Sequence, residues 1–465
     1  MPSRRTGGII TAVAAVAVIA AGAVALRLTA DEQPSSPAPV VSPSPSPTLP
    51  EPAAAVLPGL NGDAPVPTTA GIAAALERAI TDPRLGPRVL AAVVDPLTGT
   101  LLYGREESAT AIPASTTKIV TGAAVLAGLG PDRRFTTRVV RGAAPDEIVL
   151  VGGGDPLLTA VPASAGDTTY PTPTRLTDLA ARTVSSLRAA GVGAVRLRVD
   201  DSLFTGPAIN PAWEGNYVGG AVAPISALTV DSARALGGGR ELDPPIAAGN
   251  TFATMLGQHG IAVTAPVERA VAPAEAEVLG EVRSAPTAAV VERMLLASDN
   301  DASEALARHV ALASGQPASF DGVAVALPSV MQSLGLDVAG LALADGSGLS
   351  RSNAIPPVLL VRLLALATTS GHSELRPVLT GLPVGGFTGT LELRFDGEAS
   401  ASAGEVRAKT GTLNGVHTLA GTVEDVDGRL LTFAVMADNA PVSAPLAAQD
   451  ALDEVAAVLA ACGCR

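Results

Sequence analysis

Apolar and polar positions fall into three regimes along the 465-residue chain. In residues 1–30, Arg4 and Arg5 precede a nearly unbroken apolar run from Ile9 to Leu26, within which Ala23-Val24-Ala25 has A-x-A spacing. That layout predicts an export signal. The run also approaches the ~20 residues that span a bilayer, so a cleaved signal and a retained membrane anchor both stay open. Either one places the remainder outside the cytoplasm. Residues 31–68 change character, with Glu32-Gln33-Pro34, alternating Ser and Pro at 42–47, and further prolines up to Pro67. Such a segment has little apolar area to bury and predicts an extended, disordered spacer.

From residue 69 the periodicities of a folded body begin. Gly71–Ile80 recurs at helical spacing, Val89–Val94 is a continuous apolar strand, and Gly99-Thr100 turns it into a hairpin with Leu101-Leu102-Tyr103. Pro113 opens a long apolar helix that ends near Gly128. Residues 140–283 differ. Short strands at Glu147–Val151 and Val195–Val199 lie among breaks such as Gly152-Gly153-Gly154-Asp155-Pro156 and Pro244-Pro245, which predicts a strand-rich insertion of one or two small domains. From residue 284 helices return: Ala288–Ala297, then a second toward Ala313 whose start is marked by the capping-box spacing of Asp301 and Glu304. Three strands, Glu405–Thr412, His417–Val423 and Leu430–Ala437, precede a last helix, Leu446–Ala461. On this reading one domain in two parts, 69–139 and 284–465, receives residues 140–283 between them.

Hydrophobic residues make up 47% of the chain but aromatics only 2%, so the core must be built from Ala, Val and Leu. The formal charge of −13, with no basic stripe, argues against a nucleic-acid partner. The basic residues change the picture more. Lys and Arg total 31, yet only Lys118 and Lys409 are lysines. A bias toward Arg accounts for the surface. The two lysines that remain carry an amine that gives up its proton when its surroundings demand it, which Arg does not, and this marks them as candidates for chemistry. For Cys462 and Cys464, at the C-terminal end, a short-range disulfide, an intermolecular one and an unimportant tail are all open. The four histidines, His259, His309, His372 and His417, fall in no defensible motif.

Both lysines lie in short motifs. In Ser115-Thr116-Thr117-Lys118, Pro113 and Ser115 are helix-start signals, so Ser115 sits on a first helical turn and Lys118, three residues on, shares its face. A serine hydroxyl becomes a good nucleophile when a neighbouring base takes its proton, and a lysine serves as that base when burial or another cation lowers its pKa. The free N–H groups of the helix start favour a developing oxyanion. Ser298-Asp299-Asn300 offers a hydroxyl and an amide on the tight loop between two helices. Lys409-Thr410-Gly411-Thr412 lies in a strand, where Thr410 and Thr412 point to one face and suit a carboxylate with Lys409 beside them, while Gly411 lets a substrate backbone approach.

Singly these motifs are weak; together, S-x-x-K, S-D-N and K-T-G are the set shared by serine β-lactamases and penicillin-binding proteins. The chain resembles the latter. With 183 residues between Ser115 and Ser298, it is similar to the D-alanyl-D-alanine carboxypeptidase/endopeptidase family, penicillin-binding protein 4 or peptidase family S13. Other stretches agree with that family: Gly153-Gly154-Asp155-Pro156-Leu157, Asp200-Asp201-Ser202-Leu203-Phe204, the run from Asp345 to Arg351, Leu382-Pro383 and Gly389-Thr390-Leu391. The resemblance covers roughly residues 70–460.

It implies an α/β (α+β) fold of the penicillin-binding transpeptidase and serine β-lactamase kind, an antiparallel sheet flanked by helices, here with a strand-rich insertion. It implies that Lys118 deprotonates Ser115, that Ser298 relays the proton to the leaving D-Ala, and that Asn300 positions the substrate amide. Lys409, Thr410 and Thr412 would hold the terminal carboxylate, and the N–H groups of Ser115 and Thr412 the oxyanion. No metal or cofactor is called for; the expected partners are peptidoglycan stem peptides and β-lactams, at the cell wall or the outer face of the cytoplasmic membrane. A β-lactamase or esterase on the same scaffold, and a non-catalytic penicillin-binding sensor, are the alternatives.

Overall fold

Strand Val89–Val94 is apolar and buried at all six positions, so it must lie in a sheet covered on both faces. The computed structural model of the chain describes residues 61–465 apart from 165 and 236, and shows how that cover is supplied. The expected signal or anchor in residues 1–30 lies outside the described residues. Among the described residues, no helix is long and apolar enough to cross a membrane.

In chain order, helix α1 (Thr69–Ile80) leads into the hairpin β1 (Val89–Val94) and β2 (Leu101–Arg105), and a single 3-10 turn at Ala114–Thr116 opens α2 (Thr117–Leu129). There follow β3 (Thr136–Arg141), β4 (Glu147–Val151), α3 (Leu176–Ala189), β5 (Ala194–Asp200), α4 (Pro244–Gln258), β6 (Ala262–Val263), β7 (Glu268–Arg269) and β8 (Val278–Arg283). The chain continues through α5 (Thr287–Ala297), α6 (Asn300–Ala313), α7 (Phe320–Ser333), α8 (Pro357–Thr368) and α9 (Arg376–Thr380), and closes with β9 (Val406–Leu413), β10 (Val416–Glu424), β11 (Leu430–Ala437) and α10 (Pro445–Ala460).

The first sheet has the order β2-β1-β11-β10-β9 and is antiparallel throughout. Its β1–β11 pair joins segments more than 300 residues apart, with Val89 opposite Ala437. Side-chain alternation then sorts the apolar residues. Leu90, Ala92, Val94, Ala420, Ala434 and Met436 meet α2 and α5 to α8 on one face, while Ala91, Val93, Leu419, Phe433 and Val435 meet α1 and α10 on the other. The first of these cores holds a single aromatic, Phe135; close helix approach does the filling instead, as where a Cβ on Gly122 of α2 would come within 3.0 Å of Val291.

The second sheet has the order β6-β5-β4-β3-β8, with β7 also pairing to β5. It is mixed: β4 and β5 are parallel, joined by α3 as a crossover, and β3 is antiparallel to both its neighbours. α3 and α4 cover it through Leu179, Leu187, Phe252 and Leu256. The expectation of a strand-rich region thus missed two helices of 14 and 15 residues. Pro244-Pro245, read as a break, opens α4, with Asp243 as its cap; proline at a helix start costs nothing because those N–H groups lack helical partners.

Two further expectations change, and the open question of the cysteines closes. The cap of α6 is Asp299, which accepts from Ala302 N, while Asp301 and Glu304 turn inward and bind elsewhere. Cys462 and Cys464 form a disulfide in a tail that is not frayed: Cys462 is buried in the α1/α10 core and Cys464 O accepts from Thr68 N at 2.7 Å. Residues 61–68, expected to belong to the spacer, lie against the body, since Arg429 Nη1 donates to the carbonyls of Gly62 and Ala64.

The same Arg429, in the β10–β11 turn, makes a two-pronged ion pair with Asp95 at the end of β1, at 2.7 and 3.2 Å, and both side chains are buried. Removing the carboxylate strands a guanidinium in the interior, so Asp95→Ala is expected to lower stability by roughly 3–5 kcal/mol, read as a fall in the urea midpoint.

Candidate active site

Two glycines shape the turn that carries Ser115. Ala114, just before it, has the left-handed φ of 46°, an unfavourable conformation for a residue with a Cβ. It is held there by contacts on both sides. Thr116 and Thr418 hydroxyls donate to Pro113 O at 2.7 and 2.8 Å, and Thr117 Oγ1 donates to Ala114 O at 2.8 Å. A Cβ on Gly411 would lie 2.1 Å from Thr418 Oγ1 and 2.6 Å from Pro113 O, and one on Gly348 would lie 1.8 Å from Ala114 O. Gly411 therefore lets β9 close on the serine turn, a different reason from the expected approach of a substrate backbone.

Lys118, on the first turn of α2, is completely buried. Its Nζ donates to Ser115 Oγ at 3.1 Å, Asn300 Oδ1 at 2.7 Å and Ser347 O at 2.6 Å. Burial pulls its pKa down to about 8, against the opposing pull of Asp345, Glu304, Asp299 and Asp301. An amine that is about one-tenth neutral at pH 7 and more so just above it, in hydrogen-bond contact with a hydroxyl, is what a general base needs.

The Ser298-Asp299-Asn300 segment is the hinge between α5 and α6. Ser298 closes α5 in the left-handed conformation, Asp299 caps α6, and Asn300 is its first residue. Asn300 thereby points into the site, its Nδ2 donating to Ala221 O at 3.0 Å. Ser298 is half-buried at this hinge; among the described residues it is not one of the acceptors of Lys118.

Strand β9 is the sheet edge. Asn414-Gly415 forms a two-residue turn, which makes Leu413 and Val416 the closing hydrogen-bonded pair and leaves Thr412, opposite His417, in a non-hydrogen-bonded pair. Its N–H therefore faces the open side of the edge. Thr412 is exposed, and Thr410 Oγ1 lies 2.9 Å from Thr390 Oγ1. Lys409 points to the opposite face from these threonines, fully buried, and its Nζ donates to Thr410 O at 2.8 Å. Burial, and then repulsion by Lys118, holds its pKa well below the usual lysine value.

Several residues of the site escaped the motif search. Ser347 reaches Lys118 only through its carbonyl, and no side-chain pattern encodes that. Asp345 organises its loop with four bonds, from Trp213 Nε1, Gly348 N, Ser350 N and Asn353 Nδ2. Ala223 N and Arg240 bind Asp301, so residues following β5 build one wall. The run from Asp345 to Arg351 was a sequence signal for the loop, without a role.

Residues 72–236 and 239–459 match the model of the D-Ala-D-Ala carboxypeptidase 3 (S13) family. A carboxypeptidase DacB of Mycolicibacterium smegmatis is 36% identical over 469 residues, covering 99% of this chain and 98% of that protein. A carboxypeptidase of Mycobacterium tuberculosis is 38% identical over 410 residues, covering 86% of each. The fold is similar to the crystal structure of penicillin binding protein 4 from Haemophilus influenzae, with a TM-score of 0.67 at 20% identity over 82% of this chain and 98% of that one. With most of its length matched in this way, the chain belongs to the D-Ala-D-Ala carboxypeptidase 3 (S13) family.

Proposed function

We propose that this protein is a serine D-Ala-D-Ala carboxypeptidase that trims peptidoglycan stem peptides outside the cytoplasm, through an acyl-enzyme on Ser115. One observation carries the assignment of residues: the buried Lys118 amine, with its lowered pKa, lies 3.1 Å from the Ser115 hydroxyl. The catalytic domain is residues 69–139 together with 284–465, and residues 140–283 are inserted in it.

The neutral Lys118 amine takes the Ser115 proton as Oγ attacks the carbonyl carbon of the penultimate D-Ala. The N–H groups of Ser115 and Thr412 receive the oxyanion. Asn300 positions the substrate amide, and Ser298 delivers the proton to the departing amine as the C–N bond breaks. Lys409, Thr410 and Thr412 hold the terminal carboxylate, and the Lys409 amine also donates to the Thr410 carbonyl. Water then releases the shortened peptide from the ester. A β-lactam offers the same carboxylate and a strained amide in place of the D-Ala-D-Ala end, and acylates the same serine.

A labelled penicillin is expected to add at Ser115, found by mass mapping of the digested protein; a label on another residue rejects the assignment. Lys118→Arg is expected to fold and to lose acylation by about 10²-fold or more, the scale of a general base; near-normal labelling defeats the role. Release of free D-alanine from diacetyl-Lys-D-Ala-D-Ala is expected, whereas fast β-lactam turnover without it means a β-lactamase. Because the base works only without its proton, acylation is expected to rise with pH and to level off above about 8. Labelling rates between pH 6 and 10 measure this, and a flat profile contradicts it.

A further inference from the structure

Behind Lys118 lies a second buried carboxyl that the reaction above does not use. Glu304 is one helical turn beyond Asn300 on α6, on the same face, and is completely shielded from solvent. Its Oε1 accepts two backbone bonds, from Gly346 N at 3.0 Å and Ser347 N at 2.8 Å. The Gly346–Ser347 peptide unit is gripped from the other side as well, since Gly346 O accepts from Thr121 Oγ1 at 2.6 Å and Ser303 Oγ at 2.7 Å. The next carbonyl along, Ser347 O, makes the shortest of the bonds to Lys118 Nζ. The chain of contacts therefore runs from the Glu304 carboxyl through one residue of backbone to the catalytic amine.

We infer that Glu304 is the positioning residue of the general base: it aims Ser347 O at Lys118 Nζ, and its charge sets how strongly Lys118 holds its proton. This rests on the proposed role of Lys118.

The charged surroundings make the second half of that role physical. Lys118 is faced from the 343–350 loop by Asp345, from α6 and its cap by Glu304, Asp301 and Asp299, and from β9 by Lys409. Glu304 itself is faced by Asp345 and by Arg308 one turn further along α6, with Arg308 Nη1 3.7 Å from Oε2. Arg308 is buried too, its guanidinium 4.2 Å over the Phe320 ring, so its charge is held in place rather than solvated. Burial first, and then the Asp345 charge, raises the Glu304 pKa to about 7, close to that of Lys118. Glu304 is among the carboxylates that hold the Lys118 pKa up, so the charge on Glu304 bears on the proton of Lys118. An ionised Glu304 favours the ammonium; a neutral one releases the free amine at lower pH.

The test is the pH dependence of Ser115 acylation by a labelled penicillin in the full-length protein and in Glu304→Gln. The amide keeps an oxygen for the two N–H groups and removes the charge. The expected result is that the rising limb moves to lower pH by about one unit, the ordinary scale of one nearby charge. A limb that stays in place, whatever the rate, means a merely structural residue and overturns the inference. Ser303→Ala, which loosens the same loop without touching charge, is expected to slow acylation with its limb unmoved; a limb that moves as in Glu304→Gln overturns the charge argument. If Glu304→Gln does not fold by circular dichroism, Glu304→Asp decides. It keeps the charge and withdraws the oxygen by one methylene, so slower acylation with an unmoved limb is expected, and an unchanged rate overturns the positioning. Absence of labelling at Ser115 in the unmodified protein would instead remove the functional reading itself.

Discussion

Burying an amine is the constraint on which this molecule turns. Lys118 is wholly shielded inside a mostly apolar helix, and taking such a group out of water is costly unless every direction of its donors is met. Here three acceptors meet it, and each comes from a different part of the fold: Ser115 from its own turn, Asn300 from the start of α6, Ser347 from the loop before α8. Any rearrangement that separates these parts leaves the amine without partners. The geometry needed for chemistry and the geometry needed to bury a lysine are the same, which is why catalytic arrangement and local stability are coupled in this site.

The rest of the architecture holds those three parts in register. The antiparallel sheet is covered on both faces, and α2 runs through the larger of the two cores with ten buried residues. Close approach replaces bulk in a protein with so few aromatic side chains. Gly348 and Gly411 bring the 343–350 loop and strand β9 onto the serine turn at distances that a methyl group would block. The left-handed Ala114 is the cost of that approach, offset by hydroxyl bonds from Thr116, Thr117 and Thr418 to the carbonyls around it.

The residues between β5 and α4 add a wall rather than a separate body. Trp213 reaches Asp345, Ala221 O takes the Asn300 amide, and Ala223 N with Arg240 satisfies Asp301. These bonds orient both ends of the contact to Lys118, the asparagine and the loop that presents Ser347. These residues thus help to hold the groups that touch the Lys118 amine.

Much was legible in the amino-acid order alone. Val89–Val94 and Leu430–Ala437 have the residues of their strands because runs so largely apolar must be buried on both sides, and Ser115 and Lys118 share a helix face because three residues make most of a turn. The scarcity of lysine singled out both Lys118 and Lys409 before any contact was known. What periodicity cannot express is closure between distant segments. Lys118 meets Asn300 and Ser347 across 182 and 229 residues, one of them through a backbone carbonyl that every residue possesses. Pro244-Pro245 opens a helix, and Asp301 and Glu304 turn inward from α6 instead of capping it, because of partners elsewhere in the fold. Local sequence determined most elements of the first and last parts of the chain and the spacing of Ser115 and Lys118; only the packed structure decided which groups face that pair, since long-range burial, not local preference, chooses the partners of a charge.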